Sequence, residues 1–302
     1  MKRRDFIKAT TIGAIGMNLV PFPIHKNNQL NAQSATPDVV WIENGEPEVL
    51  FQTAMKELGG MNKFISKGDV VVVKPNIGWA KTPEFAATTN PDLVAEIVKQ
   101  CKEAGAKEVK VFDHTCNPWQ RCYNLSGIEE KAKENGAKLT QTYDHKYTNL
   151  AINGEYIKEW PIYKDYIEAD KMINVPIAKH HSLDRVTLGL KNLMGVMGGR
   201  RGSLHNNFGY KMADINSKLI PTLTIIDAYR ILKANGPTGG SLSDVKLTKT
   251  LIASSCTVSA DYVALDLFGH KLHEVQHISI ANEHGLNKFN LSKLNIKKVK
   301  LA

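Results

Sequence analysis

The sequence predicts an α/β fold: a mainly parallel sheet with helices on both faces. Three observations carry this. Residues 70–75 and 172–177 are apolar runs interrupted only by Lys74 and Asn174, the pattern of strands buried on both sides rather than on one. Asn90-Pro91-Asp92 is a strong helix start, with an amide to cap, a proline in the first turn and an acid at the positive end of the dipole. Strand and helix patterns also alternate along most of the chain, as a sheet built from crossover units requires.

Taken in order, residues 38–43 read as a first strand and 46–58 as a helix closed by Gly59-Gly60. The strand at 70–75 follows, then a helix from Pro91 to about Ala104, stopped by Gly105. Residues 108–113 give the next strand and 127–135 a helix ended by Gly136. Residues 138–170, rich in tyrosine and charge, fit a short strand and a β-hairpin around Asn153-Gly154. The strand at 172–177 precedes a helix over 186–197, and 214–219 is part of another. Residues 222–227 and 248–254 are strands, 260–267 a helix, and 294–301 alternates as an edge strand does.

The amino terminus carries an address. Arg3-Arg4-Asp5-Phe6-Ile7-Lys8, then an uncharged stretch to Pro23 containing Gly13 and Gly16, has the form of a twin-arginine export signal. That stretch is too short and too weakly apolar for a stable transmembrane segment. Ala32-Gln33-Ser34-Ala35 offers small residues for cleavage, so residues 1–34 read as signal peptide and linker, and 35–302 as one α/β domain. The expected partner is the twin-arginine translocase, and the expected location the periplasm or cell envelope. Export in the folded state hints at a cofactor without naming one.

The formal charge of +9 invites a nucleic-acid reading, but its distribution excludes one. Lys2, Arg3, Arg4, Lys8 and Lys26 crowd the first 34 residues, and Lys293, Lys297, Lys298 and Lys300 the last ten. The body between is close to neutral and lacks the dense basic face that a phosphate backbone needs. The four cysteines show no C-x-x-C spacing. Cys116 and Cys122 are candidates for a disulfide in an oxidising compartment; Cys101 and Cys256 read as buried small residues.

In an open α/β sheet, ligands bind beyond the carboxyl ends of the strands. Four predicted strands end in polar groups: Lys74-Pro75-Asn76, Asp113-His114, Lys179-His180-His181, and Asp227. Lys74 and Lys179 suit an anion, Asp113 can fix the tautomer of an imidazole, and His180 or Asp227 can serve as base. Adjacent side chains on extended backbone diverge, so at most one of His180 and His181 faces a shared pocket. Lys191 and Asn192, Arg200 and Arg201, and the loop carrying Gly236 and Gly239 would complete a site for a small anionic ligand. His114, His180 and His205 form a candidate set for a divalent transition metal, though without the H-x-x-x-H spacing of a helical metal site. The loop from Asn235 to Gly240 matches neither a P-loop nor a dinucleotide fingerprint. Asp261, at a predicted helix start, reads by default as a cap.

Several stretches in this order resemble a bacterial and archaeal family known as domain of unknown function 362. They are Val71-Val72-Val73-Lys74-Pro75-Asn76, Asn174-Val175-Pro176 leading to Lys179-His180, and Val186-Thr187-Leu188-Gly189-Leu190-Lys191-Asn192-Leu193-Met194-Gly195. Ile226-Asp227 with the glycine-rich loop, and Ala260-Asp261 through Asp266, complete the set. The resemblance spans roughly residues 66–286 and implies no settled reaction. Many members look like iron–sulfur proteins through an appended module with closely spaced cysteines; these 302 residues hold no such spacing, so no cluster is carried over.

Two classes of function follow from the residues. One is an exported enzyme acting on a small anionic substrate by redox or proton-transfer chemistry, with or without a metal. The other is a periplasmic ligand- or metal-binding accessory protein without catalysis. A redox role for Cys116 and Cys122 ranks third.

Overall fold

The computed structural model describes residues 36–302. The twin-arginine motif and the small-residue cleavage stretch lie outside the described residues.

The strands are β1 (Val39–Glu43), β2 (Val70–Pro75), β3 (Glu108–Val111), β4 (Lys138–Leu139), β5 (Tyr147–Ala151), β6 (Glu159–Tyr163), β7 (Lys171–Val175), β8 (Ile177–His181), β9 (Arg185–Thr187), β10 (Leu223–Leu232), β11 (Val245–Ser254) and β12 (Ile296–Lys300). The main sheet runs β12-β1-β11-β10-β7-β2-β3-β4, with β8 and β9 branching from β10, while β5 and β6 pair as a separate hairpin. Its pairings are mostly parallel; β11 runs antiparallel to both β1 and β10, and β9 antiparallel to β8. The sheet is thus mixed but mainly parallel, as predicted.

Helices cover both faces for the reason the apolar runs imply. In β2, Val71 and Val73 join one core cluster and Val72 the other, so alternate side chains enter opposite layers. The first layer holds α1 (Pro47–Leu58) and α2 (Pro91–Glu103), together with α3 (Trp119–Leu125) and α4 (Ile128–Glu134). The opposite side is covered by α5 (Lys164–Glu168), α6 (Gly189–Asn192), α7 (Phe208–Asn216), α8 (Thr257–Ala264) and α9 (Gln276–Glu283). At the start of α2 the Asn90 side chain accepts from the Asp92 and Leu93 amides, which is the predicted cap.

Two elements differ from the expectation. The run 172–177 is not one strand: it is interrupted at Pro176, which has no N–H to give the ladder. The chain then resumes as β8, pairing with the next stretch of β10. The segment 186–197 is not a continuous helix either. It is the end of β9, the single turn α6 and a 3₁₀ turn over Leu193–Val196. Gly189 and Gly195 explain the departure, because each sits where a side chain would strike a buried carboxylate.

Candidate functional site

The carboxyl ends of β2, β3 and β8 open into a cleft of about 620 Å³, closed on one side by α6 and the loop after it. On its floor the ammonium of Lys74 lies 2.7 Å from Asp113 Oδ1, with both side chains buried. The ammonium also donates to the Pro75 carbonyl at 2.7 Å and to Asn192 Oδ1 at 3.1 Å. Asp113 Oδ2 accepts from the Ile77 amide at 2.6 Å. Burial pulls the Lys74 ammonium below its ordinary range, and the Asp113 carboxylate opposes that shift. The pair is locked in place: a Cβ on Gly195 would overlap both the Asp113 carboxylate and the Lys74 ammonium.

Asparagines extend the network. Asn192 donates to Asn174 Oδ1 at 2.9 Å, and Asn174 donates to the Gly189 carbonyl at 2.9 Å. Asn76 donates to Asn192 Oδ1 and accepts from Lys179, both at 3.2 Å. Lys179, 1% exposed, makes its other hydrogen bond to the Ala87 carbonyl at 2.7 Å. Among the described residues no carboxylate pairs with it, and burial pushes it down to about 7.

One wall belongs to β3 and the loop after α6. His114 Nδ1 lies 2.7 Å from the Met197 carbonyl and 2.9 Å from the Tyr147 hydroxyl. Burial, followed by the Arg201 charge, holds the His114 imidazole below its usual value. Arg201 donates to the carbonyls of His114, Met194 and Thr115 at 3.0–3.4 Å, and it too has no carboxylate partner among the described residues.

The other wall belongs to β8. His181 lines the cleft beside Lys179, two residues away on the same strand face. Its Nδ1 accepts from the Leu183 and Asp184 amides at 3.2 and 3.3 Å, and burial reinforced by the Lys191 charge pushes it down to about 3. Lys191 is bound to Asp184, whose carboxylate also lies 3.2 Å from His205 Nδ1. The rings of His181, His205 and Phe208 stack in sequence, with the Lys191 ammonium 4.2 Å from the Phe208 centroid.

Lys74, Asn76, Asp113, His114, Lys179, Lys191, Asn192, Arg201 and His205 therefore share one cleft. The other expected site residues do not line it. His180 points away from it, and its Nδ1 accepts from the Gly236 amide at 3.2 Å. Asp227 is fully buried behind the strand ends, where its oxygens accept from the Asn90 and Tyr229 amides at 2.7 and 3.0 Å. Burial lifts it to about 6, but its role is to tie β10 to the start of α2. Arg200 is exposed outside the cleft. Gly236 packs so tightly on the His180 carbonyl that no Cβ fits, and Gly239 turns at a φ of +70° against Phe85; Pro237 is the residue of this loop that reaches the cleft.

The proposed metal set is not assembled. His180 faces the glycine-rich loop instead of the cleft that His114 and His205 line, so the three rings do not converge. No group of three His, Cys, Asp or Glu side chains among the described residues is disposed to hold a metal ion. Nor are the two cysteines paired: Cys116 is free and lines the cleft, whereas the buried Cys122 thiol faces the Gly78 and Asn117 carbonyls.

Sequence reasoning placed His180 in the site and left His181 as its alternative, and it passed over Asp184 and Thr187. The period-2 rule was the available signal for the first, since His181 shares a strand face with Lys179 and His180 does not. Asp261 caps a helix, but not its own. From α8 it reaches α6, accepting from the Gly189 and Leu190 amides at 2.7 and 2.8 Å, and burial lifts it to about 7.

These features define an α/β protein with a cation-rich cleft at the carboxyl ends of its parallel strands. Residues 71–266 match the domain of unknown function (DUF362), and the chain belongs to that family. Thylakoid-associated protein sll1697 of Synechocystis sp. is 28% identical over 240 residues, covering 74% of this chain and 71% of that protein. Among solved structures, the lactate racemase apoprotein of Thermoanaerobacterium thermosaccharolyticum matches with a TM-score of 0.50 at 13% identity. That match covers 82% of this chain and 60% of the racemase, and it is a likeness of fold.

Proposed function

We propose that the protein is an exported enzyme that binds a small carboxylate in this cleft and acts on it by proton transfer. One observation carries the reading: two basic side chains line the cleft without a carboxylate partner among the described residues. Asp113 is matched to Lys74 and Asp184 to Lys191, which leaves Lys179 and Arg201 uncompensated. A buried ammonium is expensive unless paired, so the ligand that stabilises the cleft best brings the missing negative charge. A carboxylate does so with the planar geometry that a guanidinium recognises.

The rest of the site suits such a ligand. Asn76 and Asn192 hold the lysines in register, and two imidazoles provide for proton movement. The name of the structural neighbour, lactate racemase, belongs to an enzyme of a small carboxylate, which is in keeping with the ligand class. Export rests on the Arg3-Arg4 motif. The relative's name ties that protein to a membrane system, and no helix among the described residues is long and apolar enough to cross one.

The test is a binding panel of two- to four-carbon carboxylates with inorganic phosphate as comparison. Proton exchange of each bound compound with D2O is then followed by NMR. The reading expects a carboxylate to bind and exchange, and Arg201→Met to weaken binding at least tenfold. Binding without exchange of any compound would instead favour the accessory-protein reading.

A further inference from the structure

The backbone assigns opposite tautomers to the two imidazoles of the cleft. A carbonyl oxygen can only accept, so the 2.7 Å contact between His114 Nδ1 and Met197 O requires a proton on Nδ1. The Tyr147 oxygen at 2.9 Å is then a second acceptor for the same N–H. For a neutral ring this leaves Nε2 of His114 as a bare lone pair.

At His181 the logic reverses. Backbone amides can only donate, and Nδ1 receives two of them, from Leu183 and Asp184. Asp184 Oδ2 is 3.3 Å from the same nitrogen, but that carboxylate is already engaged by the Lys191 ammonium. The ring proton therefore resides on Nε2, and His181 presents a fixed N–H.

Each imidazole stands beside one of the unpaired cations. Arg201 donates to the His114 carbonyl on the first wall, and Lys179 is two residues from His181 on the second. The buried Thr187 hydroxyl also lines the cleft and has no hydrogen-bond partner among the described residues. A ligand that brought one carboxylate and one further oxygen would satisfy these groups together.

We infer that His114 and His181 are a proton acceptor and a hydrogen-bond donor acting on a small 2-oxo acid. This rests on the reading of the cleft as an active site. The substrate carboxylate lies on Lys179 and Arg201, and its keto oxygen takes a hydrogen bond from His181 Nε2–H. His114 Nε2 removes a proton from the carbon next to the keto group, becoming an imidazolium. The electron pair of the broken C–H bond moves into the new C=C bond, and the carbonyl pair moves onto oxygen as an enolate. His181 keeps its proton throughout, because a neutral imidazole is far too weak an acid to give it up. Return of a proton from His114 restores the keto acid.

The first arm of the test needs no substrate. Long-range 1H–15N correlation spectra of the 15N-labelled chain at pH 7 report which ring nitrogen is protonated. His114→Gln and His181→Gln assign the signals. The expected result is a proton on Nδ1 alone for His114 and on Nε2 alone for His181; a shared tautomer, or a doubly protonated ring, overturns the pair.

The second arm follows deuteration of the pyruvate methyl group in D2O above the buffer blank. Loss of the base in His114→Gln slows exchange by about 10²-fold or more. Loss of the donor in His181→Leu slows it by about 10²-fold, and His181→Gln recovers much of that by restoring an N–H. Opposite tautomers with no exchange by the wild-type chain overturn the 2-oxo acid assignment, so the two failures are told apart.

Discussion

Replacing Lys179 by methionine removes the buried charge while keeping most of the side-chain volume, and the consequence depends on pH in a calculable way. The folded chain holds this lysine at about 7, against an ordinary value of 10.5. Between those values the unfolded chain carries a proton that the folded chain has released. Wild-type stability therefore rises with pH through that window. The linkage cost of Lys179 is about 5 kcal/mol at pH 6 and about 2 kcal/mol at pH 9. Methionine has no such cost, but it strands the Ala87 carbonyl and leaves Asn76 Oδ1 with the Gly78 amide alone, a penalty that does not change with pH. The stability of Lys179→Met relative to wild type should thus be about 3 kcal/mol more favourable at pH 6 than at pH 9. Urea unfolding of both proteins at the two pH values measures this, and taking the difference cancels the titrating groups that do not couple to Lys179. A difference that stays level with pH would refute the claim of a buried lysine without a counter-charge.

Three further outcomes follow from the geometry. Gly195→Ala pushes a methyl group into the Lys74–Asp113 pair. It should lower stability by about 1–3 kcal/mol and abolish carboxylate binding, as read by thermal melting and calorimetry. Asp261→Ala removes the acceptor of two amides at the start of α6, 71 residues away in sequence. A loss of about 2 kcal/mol is expected, with faster amide hydrogen exchange over residues 189–196, although Asp261 does not line the cleft. Arg3→Lys together with Arg4→Lys should leave the folded chain intact and retain it in the cytoplasm on cell fractionation. Unchanged export would contradict the twin-arginine reading.

Much of this site was visible in the sequence because strands report their own ends. The apolar runs before Lys74 and Asp113 stop where side chains meet the cleft, and parallel pairing of β2 with β3 and β7 brings the ends together. The errors share a physical cause. A buried carboxylate looks the same in sequence whether it meets a ligand or a backbone amide. Asp227 and Asp261 both spend oxygens on backbone amides, reaching distant elements over separations of 137 and 71 residues. The helix pattern over 186–197 failed similarly: helical propensity yielded to the need for Gly189 and Gly195 to pass close to carboxylates. The choice of His180 over His181 was avoidable, since strand alternation from Lys179 selects the second. The metal set failed because His180 turns to the glycine-rich loop while His114 and His205 line the cleft.

Calorimetric titration with pyruvate at pH 8, in two buffers of different ionisation enthalpy, tests the central claim most directly. At that pH Lys179, held at about 7, is mostly neutral, and a carboxylate docking on it must draw the proton back. The account predicts net uptake of close to one proton per ligand bound, lost in Lys179→Met. Binding whose heat is the same in both buffers, or no binding at all, would contradict it.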